Sequence, residues 1–147
     1  MNDAVVFGPG EGEPAGAAVM KATAEMTNGA FSMSEGTLPP GFAGPPPHAH
    51  EHTTDTFYVL EGTLHVRIGD REIDAAAGSY VLVPPGVVHT FSNASDAPCR
   101  MLNINSPGGW ENYLRDITEA MSKGSMPDSD DFKAVVARYD FVFPEAT

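Results

Sequence analysis

The chain has 147 residues, enough for one domain with its own core and too few for two full barrels. Its hydrophobic content of 41% excludes wholesale disorder, and its single cysteine, Cys99, excludes an internal disulfide and suits a small, reduced core residue in a cytoplasmic protein. A net charge of −12 argues against nucleic acid and anionic membranes as partners. No signal peptide is read at the N-terminus, and no run approaches the ~20 apolar residues of a membrane helix.

Residues 1–18, rich in Gly, Pro and Ala, read as a flexible leader with room for one edge strand at Val5–Phe7. From Val19 to Leu38 the chain is β-leaning, notably at Phe31–Met33, until Pro39–Gly41 stops it. Thr56–Leu60 is a β-rich run closed by Glu61-Gly62. Thr63–Ile68 alternates, with Leu64, Val66 and Ile68 on one face and His65 and Arg67 on the other. Gly69-Asp70 turns the chain into Arg71–Asp74, and Ala75–Gly78 turns it again into Tyr80–Val83, which reads as buried. Pro84–Gly86 breaks that strand; His89–Ser92 and Arg100–Asn105 follow. Many short strands at near-regular spacing predict a sandwich or barrel over residues 19–106.

Residues 107–147 change period. Trp110, Leu114, Ile117 and Met121 stand at helical spacing, as do Phe132, Val135, Val136 and Tyr139 after an acidic start at Asp128–Asp131. Two amphipathic helices packed on the outside or mouth of the barrel are expected.

Pro47-His48-Ala49-His50 carries the clearest chemistry. Histidines at i and i+2 of an extended chain share a face, about 6.6 Å apart by Cα, so both imidazoles can reach one ion at ~2.0–2.1 Å. A His-x-His also occurs on solvated loops. The stretch GSYVLVPPGVVHTFSN from Gly78 changes the balance, because His89 brings a third nitrogen from another strand. Gly62 and Gly86 fall where tight turns must reverse the chain. Asn93 reads as a turn former.

Gly78, Pro84, Gly86, His89 and Asn93 stand at the offsets of the second cupin motif, and His48, His50, Asp55 and Gly62 fill the slots of the first. The sequence is therefore identified as resembling the cupin superfamily, an all-β fold (double-stranded β-helix or jelly-roll barrel), here with two short C-terminal helices. The runs GPPPHAHEHTTDTFYVLEG, NINSPGGWENYLRDI and FKAVVARYDFVF resemble single-domain, quercetin 2,3-dioxygenase-like cupins over about residues 20–143. The resemblance implies one divalent metal ion per chain (Fe, Ni, Mn, Co, Cu or Zn) on His48, His50, His89 and Asp55. It also implies a homodimer.

Asp55 departs from the glutamate usual in that slot. One methylene shorter, it is expected to be a weak or water-mediated partner of the metal, which puts in question the catalytic role as a base that the resemblance assigns to the acid. His52 is the fallback fourth ligand; on a straight strand it lies about 13 Å from His48, so the loop 51–54 must curl back for it to serve. His65 faces outward and is no ligand. Parity with Asp55 and His89 places Phe57, Val59 and Phe91 as an apolar substrate wall or as plain core. Three functions remain in play for a small aromatic, phenolic or polyketide-like substrate: a quercetinase-like dioxygenase, a non-redox cyclase or isomerase using the metal as Lewis acid, and a ligand-binding cupin without catalysis.

Overall fold

The computed structural model describes residues 3–144; residues 1–2 of the leader and 145–147 of the C-terminal region lie outside the described residues. Nine strands precede two helices among them: β1 Glu13–Ala15, β2 Ala18–Ala22, β3 Ser32–Leu38, β4 Thr54–Glu61, β5 Thr63–Ile68, β6 Arg71–Ala76, β7 Tyr80–Val83, β8 His89–Ser92 and β9 Cys99–Ser106, then α1 Trp110–Ser122 and α2 Asp130–Ala137. All strand pairs are antiparallel. One sheet runs β1-β2-β3-β9-β4-β7 and the other β6-β5-β8. The pairs do not close into a continuous cylinder.

The core lies between the two sheets. Phe57 and Val59 of β4, Val81 and Val83 of β7, and Cys99 and Met101 of β9 meet Leu64 and Val66 of β5. Each fully buried side chain of this kind contributes about 1.5–3 kcal/mol. The alternation of β5 sets its register: Leu64 and Val66 are buried, while His65 and Arg67 face out beside Asp74 and Glu72 of β6. Gly62 links β4 to β5 at φ 77, and a Cβ there would stand 2.4 Å from the Pro98 carbonyl oxygen, so only glycine fits.

Two expectations are corrected. The edge strand is Glu13–Ala15 rather than Val5–Phe7, because the two-residue loop Gly16-Ala17 folds it straight back onto β2, with Gly16 supplying φ 62. Val6 in the expected strand is 87% exposed. Tyr80–Val83 is half-buried rather than buried. Successive side chains of a strand point to opposite faces, so Val81 and Val83 face the core while Tyr80 and Leu82 are exposed on the outer face of the sheet.

α1 is docked by a buried acid. Glu111 in its first turn accepts from the Ala24 backbone N–H at 2.7 Å and from the Ser32 hydroxyl. In α2, the Ser129 hydroxyl caps the Phe132 N–H, and Asp130 and Asp131 face the positive end of the helix dipole. Beyond α2 the chain returns to the sheets: Val142 forms a bridge with Ala49, its N–H donating at 2.8 Å and its carbonyl accepting at 2.7 Å. No described helix is long and apolar enough to cross a membrane.

Candidate metal centre

The segment 48–50 is held as an extended chain by isolated bridges. His48 exchanges backbone hydrogen bonds of 3.0 and 2.8 Å with His89 at the start of β8, and the His50 carbonyl accepts from Gly86 N–H at 2.7 Å. The i, i+2 spacing then turns both imidazoles to one side, where His89 meets them. Ring centroids are 4.9 Å apart for His48–His50, 4.7 Å for His48–His89 and 5.3 Å for His50–His89.

Each ring is oriented through Nδ1. His48 Nδ1 donates to the Pro46 carbonyl at 2.8 Å, His89 Nδ1 to Val87 at 2.9 Å, and His50 Nδ1 to Asp140 at 2.6 Å. A carbonyl only accepts, so Nδ1 carries the proton on all three rings and Nε2 presents its lone pair to the centre. Asp55, on β4, completes the group: its Oδ2 lies 3.0 Å from His89 Nε2 and 3.4 Å from His50 Nε2. One ligand atom from each of His48, His50, Asp55 and His89 falls within 4.8 Å of the others, and all four residues are buried. Despite its shorter reach, the aspartate carboxylate stands inside the cluster.

Three lone pairs and a carboxylate converging in a buried space demand a cation. His50 Nε2 is the buried side-chain atom left without a hydrogen-bond partner among the described residues. Without an ion, protons carry that demand. Burial drives the His48 pKa down to about 4, against the pull of the Pro46 carbonyl. At His50 burial also acts downward, but Asp55 and the Asp140 carbonyl outweigh it and hold the pKa above its ordinary value. Burial raises the Asp55 carboxyl, yet the facing His50 and His89 imidazoles and the Asn103 amide overcome it and leave it at about 2. Three imidazole nitrogens and one carboxylate oxygen suit a first-row divalent ion and leave further positions open.

The remaining sequence expectations fall on either side of this centre. His52 is not the fallback ligand: its side chain is 76% exposed beside Glu51, because the loop binds Asp140 through its backbone and turns the imidazole outward. His65 is outward as expected, 2.8 Å from Asp74. Asn93 is a buried turn former, its amide spanning the Leu38, Pro39 and Ala97 carbonyls. Phe57 and Val59 lie in the core, and Phe91 packs against it between Phe42 and Phe57.

Sequence reasoning missed Asn103, Asn105 and Asp140. Asn103 and Asn105 donate to Asp55 Oδ1 at 2.7 and 2.9 Å and so aim Oδ2 at the histidines. Two asparagines at i, i+2 on a strand whose other inward residues are Cys99 and Met101 were the available signal.

A family model described as a cupin domain matches residues 34–105, which carry all four converging residues. The chain belongs to the cupin superfamily. It is 33% identical over 70 residues to the quercetin 2,3-dioxygenase of Bacillus subtilis (strain 168), a match covering 48% of this chain and 20% of that enzyme. The chain thus spans about a fifth of the length of that relative. An uncharacterised protein of Streptomyces coelicolor is 30% identical over 82 residues, covering 56% of this chain and 70% of the other. A cupin protein from Bacteroides fragilis superposes with a TM-score of 0.59 at 24% identity, covering 74% of this chain and 88% of that one, which speaks for the fold alone.

This cupin keeps the four converging side chains away from solvent. His48, His50, Asp55 and His89 are 1–5% exposed. A cleft of about 490 Å³ runs past His50 between the Pro85–Gly86 turn and Val142, and one of about 180 Å³ runs between Asn105, Trp110 and Asp140. The C-terminal segment walls both. The Phe141 ring lies 5.3 Å from His48 and 5.5 Å from His50 by centroid.

Proposed function

We propose that this cupin is a metal-dependent enzyme acting on a small aromatic, phenolic or polyketide-like metabolite, as a quercetinase-like dioxygenase. The observation that carries the reading is the convergence of His48, His50 and His89 Nε2 with Asp55 Oδ2 in a buried, aromatic-walled space. A purely apolar binder needs no such cluster. A bound divalent ion supplies Lewis acidity and, for a redox-active metal, electron transfer. The chain's own residues fix the imidazoles through the Pro46, Val87 and Asp140 carbonyls and keep bulk water out. The aromatic rings of Trp110, Tyr113 and Phe141 offer flat apolar surface beside the centre. The local likeness to the Bacillus subtilis dioxygenase supports the oxygen-dependent chemistry.

One observation favours a second reading, a cyclase or isomerase that uses the metal as Lewis acid only. Asp55 Oδ1 is taken by two asparagine amides and Oδ2 faces two histidines, so the carboxylate has little free capacity to act as a substrate's base. An oxygen electrode separates the two. With iron-, nickel- or manganese-loaded protein and a flavonol or β-diketone substrate, turnover is expected to consume dioxygen and to cease under strict anaerobiosis. Product formed at the aerobic rate without oxygen, and with zinc, would leave the non-redox reading in place.

A further inference from the structure

The segment after α2 is tied down at each successive residue. The Tyr139 hydroxyl bonds Asp116 of α1. The Asp140 carboxylate accepts three hydrogen bonds from the loop that follows His50: Glu51 N–H at 2.7 Å, His52 N–H at 3.0 Å and the Thr53 hydroxyl at 2.9 Å. The Asp140 carbonyl takes the His50 Nδ1–H at 2.6 Å. Phe141 then lies against His48, His50 and Trp110, and Val142 bridges Ala49.

Asp140 is therefore bound twice to one short stretch of chain, 90 residues away from His50. Its carboxylate fixes the backbone of residues 51–53, and its carbonyl fixes the ring of residue 50. The two clamps work together, because the position of the carbonyl depends on where the carboxylate is anchored. His48 and His89 have no such arrangement: their Nδ1 partners, Pro46 and Val87, are two residues away in the same local segment. Of the three imidazoles, only His50 takes its orientation from a distant part of the chain, and its Nε2 is the atom left without a partner.

We propose that Asp140 is a positioning residue of the metal centre, acting through His50, so that the segment Asp140–Val142 is part of the metal site. This rests on reading His48, His50, Asp55 and His89 as metal ligands. Releasing the carboxylate clamp frees the carbonyl to drift, and the His50 ring loses both its tautomer lock and its aim. Loss of such an outer hydrogen-bond partner weakens metal binding about 10–100-fold.

The test is a cobalt(II) titration of the metal-free full chain, read by affinity and by the visible d–d absorption, which reports ligand geometry. Asp140→Ala is expected to lower cobalt affinity by about 10–100-fold and to alter the d–d spectrum. Asp140→Asn, which keeps one acceptor oxygen, should recover part of both. Thr53→Val removes one of the three bonds without touching the segment, and should shift both readouts in the same direction by less. It also keeps the test alive if Asp140→Ala does not fold. Tyr139→Phe cuts the tie to Asp116 and should lower the melting temperature while leaving the spectrum unchanged. Wild-type affinity and spectrum in Asp140→Ala or Thr53→Val would overturn the proposal while leaving the metal site standing. A spectral change in Tyr139→Phe equal to that in Asp140→Ala would also overturn it, by showing that any loosening of the segment suffices. Failure of the wild-type chain to bind cobalt would overturn the metal reading itself.

Discussion

Two histidine–carboxylate groups of similar separation lie in this chain, and they do different things. Inside, His89 Nε2 is 3.0 Å from Asp55; outside, on the face of the smaller sheet, His65 Nδ1 is 2.8 Å from Asp74. The difference lies in the other ring nitrogen. His65 Nε2 points at a second acid, Glu72, at 3.4 Å, so both of its nitrogens face acceptors and a proton satisfies them. His48, His50 and His89 each give Nδ1–H to a backbone carbonyl, which leaves three lone pairs facing one another. Partner choice at the remote nitrogen, together with burial, separates a candidate metal centre from a surface ion pair.

The sharpest way to break this comparison is to remove an inner ring. His89→Ala deletes one of three converging nitrogens and also the imidazole that stands 3.0 Å from Asp55. Its metal affinity should fall well beyond the ~100-fold upper range for losing an outer hydrogen-bond partner. Metal content per chain by inductively coupled plasma mass spectrometry checks this, and full occupancy in His89→Ala would remove the inner site from the comparison altogether.

The next effects come from the acid and its supports. Asp55→Asn keeps the shape and removes the charge, so affinity should drop less than in His89→Ala. Asn105→Leu removes one of the two amide donors that aim Asp55, with Asn103 left in place, and about a tenfold loss is expected. Zinc competition against a chromogenic chelator would rank the three. An Asn105→Leu protein as impaired as His89→Ala would mean that the orientation of Asp55, rather than the histidine triad, controls binding.

The fold was legible wherever one local rule acted alone. The alternation of Leu64 and Val66, the turn at Gly69-Asp70 and the helical spacing of Trp110, Leu114 and Ile117 each appear in the structure as read. The histidines were legible because i, i+2 spacing is a property of extended chain, whether it lies in a ladder or, as here, in isolated bridges. What could not be read were effects of distant packing. The exposure of Tyr80 and Leu82 follows from the outer face of the sheet being left uncovered at β7, which no local pattern shows. The choice of Glu13–Ala15 over Val5–Phe7 followed from a hairpin turn, not from apolar content. Asp140 carries no motif; its role comes from the return of the chain after α2 to a loop far away in sequence.

The smallest effect belongs to the outer pair, and it has a sign. The hydrogen bond to Asp74 raises the His65 pKa, burial opposes it slightly, and Glu72 adds to the rise. A raised pKa means that the folded chain holds the proton more tightly than the unfolded one. The stabilisation is therefore complete below the ordinary imidazole pKa of about 6.5 and disappears as pH rises through the higher folded value. With 30% of the His65 side chain exposed and both acids more so, solvent screening limits the gain to about 0.2–1 kcal/mol. Urea unfolding of wild type and His65→Ala should thus differ by up to this amount at pH 5 and converge by about pH 9. Metal content should be equal in the two proteins at both pH values, since His65 lies outside the converging group. A stability gap that persists at high pH would assign the His65 contribution to packing across β5 and β6, and the outer group would then lose its electrostatic contrast with the inner one.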